Sequence, residues 1–473
     1  MVLRLFSRAA LRVPAYKKLL KAHALRSRGV TTIQSFTRVP IIDKDSYLRI
    51  SRLPDLCWDG KLAESRMVIS STSGSSGEPF YFPRTNEQDL QYAALAEMYL
   101  RSNFSIHTKS TLYIVGWGMG VWIGGVFSYS SVRMVAERGK YNLSIITPGT
   151  NQDEILKAVK TLGPYYDQVI IGGYPPMIKD LVDEGNRRGI GWKKYNVKFI
   201  FSAEGFSEQF REYIFRNAEM KNPYRDTLNH YGTVDLGTMA HETPLSILIR
   251  RLARKHEGLN MDLFGDPHRQ PTFAQYIPEL FYFEAYEGRI ICSAQSGLPL
   301  IRYDLKDSGG VKTQKEVYAL CKKHGIDIEK EINRAHIEDT IWNAPFVYVF
   351  ERSDFTVKLS GANIYPEEIR RVLDDPYVAR FVTGKCTMSV DVDDRMDQRL
   401  MVHVELKRSG IPDKTLKYKI QEGIVTELNK HNSEYAYLYK NLPIERMTPM
   451  VTLWPFGDPT FFGAAGKHRW VRK

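Results

Sequence analysis

Cysteine is scarce in this chain. The four residues, Cys57, Cys292, Cys321 and Cys386, are scattered over 473 positions with no Cys-x-x-Cys pair. That excludes a disulfide framework and a cysteine zinc site, and a reducing, cytoplasmic setting is expected. No Gly-x-x-x-x-Gly-Lys-Ser/Thr run occurs, so a Walker-type phosphate loop is ruled out. Gly74-Ser75-Ser76-Gly77 lacks the Gly-x-Ser-x-Gly spacing of a nucleophile elbow. Internal repeats, low-complexity tracts, zinc-finger spacing and RNA-binding aromatic motifs are missing too. Nucleic acid is therefore not the expected partner, although the formal net charge is +12. The charge suits small polyanions or an acidic membrane face. One uncharged run, 111–132, has the length of a membrane span. Its five glycines and interspersed Ser, Thr and Tyr favour a buried, glycine-notched segment lining a pocket, so no span is expected.

The chain is long enough for two or more domains. At 43% apolar and 25% charged residues it is globular rather than disordered. Short apolar runs at 112–115, 143–146, 168–171 and 197–201 read as buried strands. Helical periods at 154–162, 177–187 and 208–218 lie between them, which predicts an α/β sheet with helices on its faces. Further on, 280–284 and 288–293 form a hairpin around Tyr286-Glu287-Gly288. Two charged helix-forming stretches separated by Gly325 make 310–346 a helical insertion. From 352 the pattern becomes a small α+β unit, with strands at 356–359 and 400–406 and helices at 366–373 and 416–429. The expected division is a large mixed α/β domain over 1–351 and a small mobile α+β domain over 352–473.

The most informative stretch is Ser70-Ser71-Thr72-Ser73-Gly74-Ser75-Ser76-Gly77-Glu78-Pro79. Six hydroxyls and two glycines cannot build a core. They can surround a polyphosphate with backbone N–H groups and hydroxyl donors. A flexible Ser/Gly linker is the competing interpretation. The strand-like Phe80-Tyr81-Phe82 that follows, and the motifs downstream, favour a nucleotide site.

Those motifs come in a fixed order. Ala203-Glu204-Gly205 follows an apolar strand. Tyr231-Gly232-Thr233-Val234-Asp235 comes next, then Leu298-Pro299-Leu300-Ile301-Arg302-Tyr303 leading to Asp307. Glu351-Arg352-Ser353-Asp354 precedes Gly361-Ala362-Asn363-Ile364-Tyr365-Pro366, and Gly466-Lys467-His468-Arg469 ends the series. Together they resemble the adenylate-forming (AMP-binding) enzymes, in particular the phenylacetate–CoA ligase and CapK-like branch. The likeness spans nearly the whole chain apart from 310–346. It extends to Arg12-Val13-Pro14-Ala15-Tyr16-Lys17 and Arg38-Val39-Pro40-Ile41-Ile42-Asp43-Lys44. The basic first 42 residues are therefore expected to be folded domain rather than a transit peptide.

The resemblance implies ATP-dependent activation of a carboxylic acid as acyl-AMP, with ATP, Mg2+ and coenzyme A as cofactors. Thr72, Ser73, Gly74, Ser75, Ser76 and Gly77 would cradle the phosphates. Ala203, Glu204, Tyr231 and Gly232 would meet adenine, Asp307 the ribose, and Arg352 the ribose or phosphate. Asp235 would hold magnesium, Asp354 would be the hinge, and Gly361 would flank the thiol path. Lys467 would be the catalytic cation, a group whose removal typically costs about 10²–10³ in rate. Trp117, Gly118, Trp122 and Tyr174 would shape an acyl pocket suited to an aromatic or short acid. Transfer to an amine or hydroxyl, AMP transfer onto a hydroxyl, and a degenerate nucleotide-binding partner protein remain alternatives, and homodimerisation stays open. Three departures from the family pattern stand out: Glu78 in place of a lysine, Val234 in place of a hydroxyl, and Asp235 in place of a longer glutamate. An acid at 78 calls for a compensating cation, with Arg84 as the candidate.

Overall fold

In the computed structural model the described residues are 1–64, 66–71, 80–121, 123–203, 205–350, 357–359, 362–392, 398–410, 412–441, 443–463 and 468–472. They divide into two compact units. The first comprises Met1–Tyr174, Gly185–Gly205 and Asn217–Phe350. The second comprises Pro175–Glu184, Phe206–Arg216 and Glu351–Lys473.

In the first unit, β1 (Met67–Ser71) and β2 (Tyr81–Thr85) form an antiparallel pair, with Ser71 opposite Tyr81. The main sheet begins with β3 (Thr111–Val115), β4 (Leu143–Ile146), β5 (Gln168–Gly173), β6 (Val197–Ser202) and β7 (Thr227–Thr233). These five are parallel, in spatial order β4-β3-β5-β6-β7, and the connection between each successive pair includes a helix. The apolar runs in the sequence produce this half. Strands β3 and β5 are buried along their whole length, as continuous Val/Ile runs require when both faces are covered. Leu143–Ile146 differs: it is the edge strand, half-buried rather than buried. The uncharged 111–132 run divides between β3 and a helix starting at Ile123, and no described helix is long and apolar enough to cross a membrane.

Beyond β7 the sheet turns antiparallel through β8 (Gly237–His241), β9 (Thr272–Gln275), β10 (Phe281–Tyr286), β11 (Arg289–Ala294), β12 (Leu300–Lys312) and β13 (Phe346–Val349). The spatial order here is β7-β8-β9-β13-β12-β11-β10. The β10–β11 turn has φ of 50° at Glu287 and 72° at Gly288, the paired positive values of a two-residue hairpin turn.

The amino-terminal segment belongs to this core. Phe6, Val13 and Phe36 are fully buried in one cluster with Ile301 and Leu300 of β12. Between β12 and β13 lie the helices Gln314–Lys323 and Ile328–Ala335. The first opens with a capping box in which Thr313 and Glu316 exchange side-chain and backbone hydrogen bonds. Val317, Cys321, Ile328 and Ile332 pack with Leu245, Ile249 and Leu259 of the helices Pro244–Lys255 and Glu257–Phe264. The four cysteines are separate buried thiols.

The second unit contains β14 (Val357–Leu359), paired with β15 (Ala362–Ile364), and a sheet of β16 (Val382–Val392), β17 (Gln398–Leu406) and β18 (Met450–Trp454). Helix Leu416–His431 buries Leu416, Ile420, Ile424 and Leu428, one residue per turn, into its core. The unit also holds a group of buried and partly buried ions. Lys385 Nζ lies 2.7 Å from Asp180 Oδ2 and 3.4 Å from Glu405 Oε2, and Asp183 takes Lys179 at 3.1 Å and Lys407 at 3.4 Å. Burial disfavours the charge on Lys385, but the two carboxylates outweigh it and hold the ammonium above its ordinary pKa.

Beneath β7 and β8 sits a fully buried ion pair, with Arg250 Nη1 at 3.1 Å from Glu242 Oε1. Glu242 Oε2 also accepts from the Asn229 backbone N–H at 2.8 Å, which fastens helix Pro244–Lys255 to β7. Removing one partner of such a pair strands a buried charge. Glu242→Ala is expected to lower unfolding free energy by about 3–5 kcal/mol, measured as a lower denaturant midpoint.

Candidate active site

The site is built where β7 meets β8, at the change from parallel to antiparallel pairing. Tyr231 is buried near the end of β7, and its hydroxyl donates to Asp307 Oδ2 at 2.7 Å. Two motifs 76 residues apart are thereby joined. Gly232 makes the approach feasible, because a Cβ there would lie 2.8 Å from the Gly237 carbonyl oxygen across the hairpin. Phe283 of β10 lies 6.2 Å from the Tyr231 ring, centroid to centroid. Ala203, just past β6, has φ of 75°, a left-handed conformation that costs a non-glycine residue about 1–3 kcal/mol. It lies at the carboxyl edge of the parallel strands, where open sheets bind ligands.

Strand β12 brings in Asp307 by way of two bends, with φ of 51° at Arg302 and 60° at Lys306. Arg302 is held through the first bend by Glu284 Oε2 at 3.1 Å and by the carbonyls of Thr37 and Val39 at 2.5 and 2.6 Å. Its guanidinium thus locks β12 to the amino-terminal segment. The adjacent Tyr303 donates its hydroxyl to Asp235 Oδ2 at 2.5 Å, and Lys44 Nζ stands 3.2 Å from Asp235 Oδ1. Both oxygens of the expected magnesium carboxylate are therefore engaged, one by a phenol and one by an ammonium.

The sequence alone assigns no role to Lys44 and Tyr303, although each lies inside a motif. Arg84, the candidate to offset Glu78, is buried against Asp89 at 2.6 Å and Ser70 at 3.1 Å, with Phe127 beneath it at 4.6 Å. The cation that stands beside Asp235 is Lys44. Among the described residues no three His, Cys, Asp or Glu side chains cluster as a metal site. Among the described residues Asp235 offers the hard carboxylate there, which suits an ion that arrives with a polyphosphate and takes its other ligands from phosphate and water.

On the opposite face of β7, His230 stands beside His241 of β8, directly across the ladder. Tyr99 of helix Asn86–Phe104 covers both, its ring 4.9 Å from His230 and 5.0 Å from His241, and Trp342 lies 4.8 Å from His241. Trp117 shares the apolar cluster of Tyr99, with Tyr174 and Trp342 packed against it. Its ring fills the space over Gly172, where a Cβ would approach it to 2.1 Å. Gly118 is half-buried beside it. Trp117 and Tyr174 are thus brought together, on the far side of the sheet from Tyr231 and Asp307.

Thr72, Ser73, Gly74, Ser75, Ser76, Gly77, Trp122, Glu204, Arg352, Asp354, Gly361 and Lys467 lie outside the described residues. The described chain resumes at His468. Phe462 and His468 stack at 5.6 Å, and His468 Nε2 lies 2.7 Å from the Cys386 carbonyl oxygen. The chain then runs along β16, with Met388 bonded to the Trp470 carbonyl at 2.7 Å and to the Arg472 N–H at 2.8 Å.

No family model and no curated protein matches this sequence. Solved structures do. A 2-hydroxyisobutyryl-CoA ligase in the postadenylation state with 2-HIB-AMP aligns over the whole of this chain and 88% of its own, at TM-score 0.66 and 15% identity. The same ligase in an open conformation with 2-HIB-AMP and CoA gives TM-score 0.53 at 15% identity, over 100% of this chain and 90% of that one. An acyl acid amido synthetase, AtGH3.15, in complex with 2,4-DB gives TM-score 0.61 at 13% identity, again over 100% and 90%. This chain has the adenylate-forming fold. Within that fold, the meeting of Tyr231 with Asp307 and of Asp235 with Tyr303 and Lys44 marks one candidate nucleotide site.

The two buried histidines also set an acid limit. Burial lowers the pKa of His241 to about 3, and burial together with His241 puts His230 well below its ordinary value. Below about pH 6.5 the unfolded chain binds protons that the folded rings refuse, so stability rises with pH and is lost as pH falls. Denaturant midpoints should fall from pH 7 to pH 5, and His241→Phe should flatten that slope.

Proposed function

We propose that the chain is an ATP-dependent adenylate-forming ligase. It converts a carboxylic acid and ATP·Mg to acyl-adenylate and pyrophosphate, then passes the acyl group to a thiol, most simply coenzyme A. The supporting observation is the Tyr231–Asp307 hydrogen bond at the parallel-to-antiparallel switch of a sheet with the adenylate-forming fold. The ligase and amido synthetase with which it shares that fold are described with 2-HIB-AMP, CoA and 2,4-DB.

In this reading Tyr231 offers its ring to adenine, and the Asp307 carboxylate accepts the ribose hydroxyls. Asp235 would hold a magnesium ion brought in with ATP, which would balance phosphate charge when bound. Lys44, beside Asp235, supplies a further cation to the phosphates. The Ser/Gly run of 72–77 holds the phosphates, and Lys467 neutralises the oxygens on which charge develops. Arg352 meets ribose or phosphate, Asp354 is the hinge, and Gly361 borders the thiol path. No covalent enzyme intermediate is needed, because positioning and electrostatics carry the reaction.

The test is carboxylate-dependent ATP–pyrophosphate exchange across aromatic, short-chain and amino acids. Lys467→Ala is expected to reduce exchange about 10²–10³-fold. Asp307→Ala, which removes hydrogen bonds to a charged acceptor, should lower kcat/KM for ATP by about 10–100-fold. Absence of exchange with every acid, despite ATP·Mg binding, would sink the proposal.

A further inference from the structure

The far face of β7 carries an unusual concentration of polar atoms without partners. His230 Nε2, His241 Nε2 and Trp117 Nε1 are all buried, and none makes a hydrogen bond among the described residues. All three residues are more than nine-tenths buried. Buried side-chain nitrogens nearly always have a partner, so three orphans on one side of a sheet call for an explanation. Their neighbours do not provide it. Tyr92 and Tyr99 direct their hydroxyls at each other, 3.4 Å apart, and Trp342 meets His241 as a ring. Among the described residues, aromatic rings surround the orphans.

The placement ties them to the reaction. His230 precedes Tyr231 in β7, and successive strand residues point to opposite faces. One face therefore serves the nucleotide candidates Tyr231 and Asp307, while the other presents His230, His241 and Trp117. A carboxylate that attacks a nucleotide phosphate must lie next to the nucleotide, with its organic part reaching away from it. Trp117 and Tyr174 belong to the same cluster, and the partial exposure of Tyr174 puts that cluster near the surface.

Resting on the adenylation reading, we propose that this aromatic face receives the organic part of the acid, and that the acid carries a hydroxyl group recognised by His230, His241 and Trp117. A neutral imidazole has one N–H and one bare nitrogen, and an indole has one N–H. A hydroxyl can donate to the first kind of group and accept from the second. A plain hydrocarbon acid leaves all three nitrogens unpaired. A second carboxylate would need a charged imidazole to balance it, and the apolar surroundings oppose that charge. His230 and His241 are specificity-determining residues in this account, and the phosphate chemistry does not use them.

The experiment compares paired acids that differ by one hydroxyl: phenylacetate with 4-hydroxyphenylacetate, and benzoate with 3- and 4-hydroxybenzoate. Each is assayed for ATP–pyrophosphate exchange and, independently, for binding by saturation-transfer-difference NMR. The wild type and the variants His230→Phe, His241→Phe and the double variant are used, since phenylalanine keeps the ring and removes the nitrogens. A hydroxylated acid is expected to exceed its parent at least tenfold in the wild type, because a site built for a hydroxyl rejects the analogue lacking it. That ratio should fall towards one in the double variant, with melting temperature at neutral pH unchanged or raised. A ratio near one in the wild type overturns the proposal, whether or not the variants fold. So does a ratio that survives in a folded double variant. If no acid supports exchange, the adenylation reading fails, and the NMR ratio still decides for or against hydroxyl recognition on this face.

Discussion

The approach of two backbones at Gly232 is the constraint on which the rest of the site depends. Strand β7 must pair in parallel with β6 and in antiparallel with β8, and the second pairing closes tightly enough that a methyl group would strike the Gly237 carbonyl. That tight hairpin fixes Tyr231 on one face and His230 on the other. It also holds Asp235 in the turn, where Tyr303 reaches it. The Glu242–Arg250 pair and its bond to the Asn229 N–H secure the strand from below. A side chain at 232 would shift all of these groups together.

Charge in this protein serves two ends. Arg302, Arg84 and Arg250 are buried cations, each held by a carboxylate, with carbonyls at Arg302 and the Ser70 hydroxyl at Arg84 as further acceptors, so they organise the fold rather than meet solvent. The planar guanidinium suits this work because several donors can be satisfied at fixed angles. Lys44 is different: a flexible point charge, partly exposed, beside the one carboxylate of the turn. The net positive charge of the chain says little about which cations reach a ligand until the buried ones are set aside.

The sequence was most legible where one short-range rule acts alone. Continuous apolar runs located β3, β5 and β6, and two consecutive positive-φ positions produced the hairpin at Glu287–Gly288. Helix Leu416–His431 followed from its four-residue stripe. Strand β16 escaped detection because Gly384 and Lys385 interrupt it, and its register slips between Val382 and Cys386. The pairing of Lys385 with Asp180, 205 residues away, is one that no local pattern could reveal. Tyr231 and Asp307 were legible as members of motifs, whereas their hydrogen bond required β12 to bend at Arg302 and Lys306. The paired histidines were invisible for the same kind of reason: one directly precedes the Tyr231 motif, the other lies in an unremarked strand, and only the ladder puts them side by side.

The ion group around Lys385 has a kinetic consequence. Lys385 and Asp180 are separated by 205 residues, so the second unit is assembled from stretches of chain made far apart in time. Contacts of such span form late, since loop closure must be met before they contribute. Until Asp180 is in place, the ammonium of Lys385 faces a half-empty partner set, and the surface around it has no reason to exclude water. In the isolated 352–473 stretch the core residues would all be present, while Lys385 would keep only Glu405 of its two carboxylate partners.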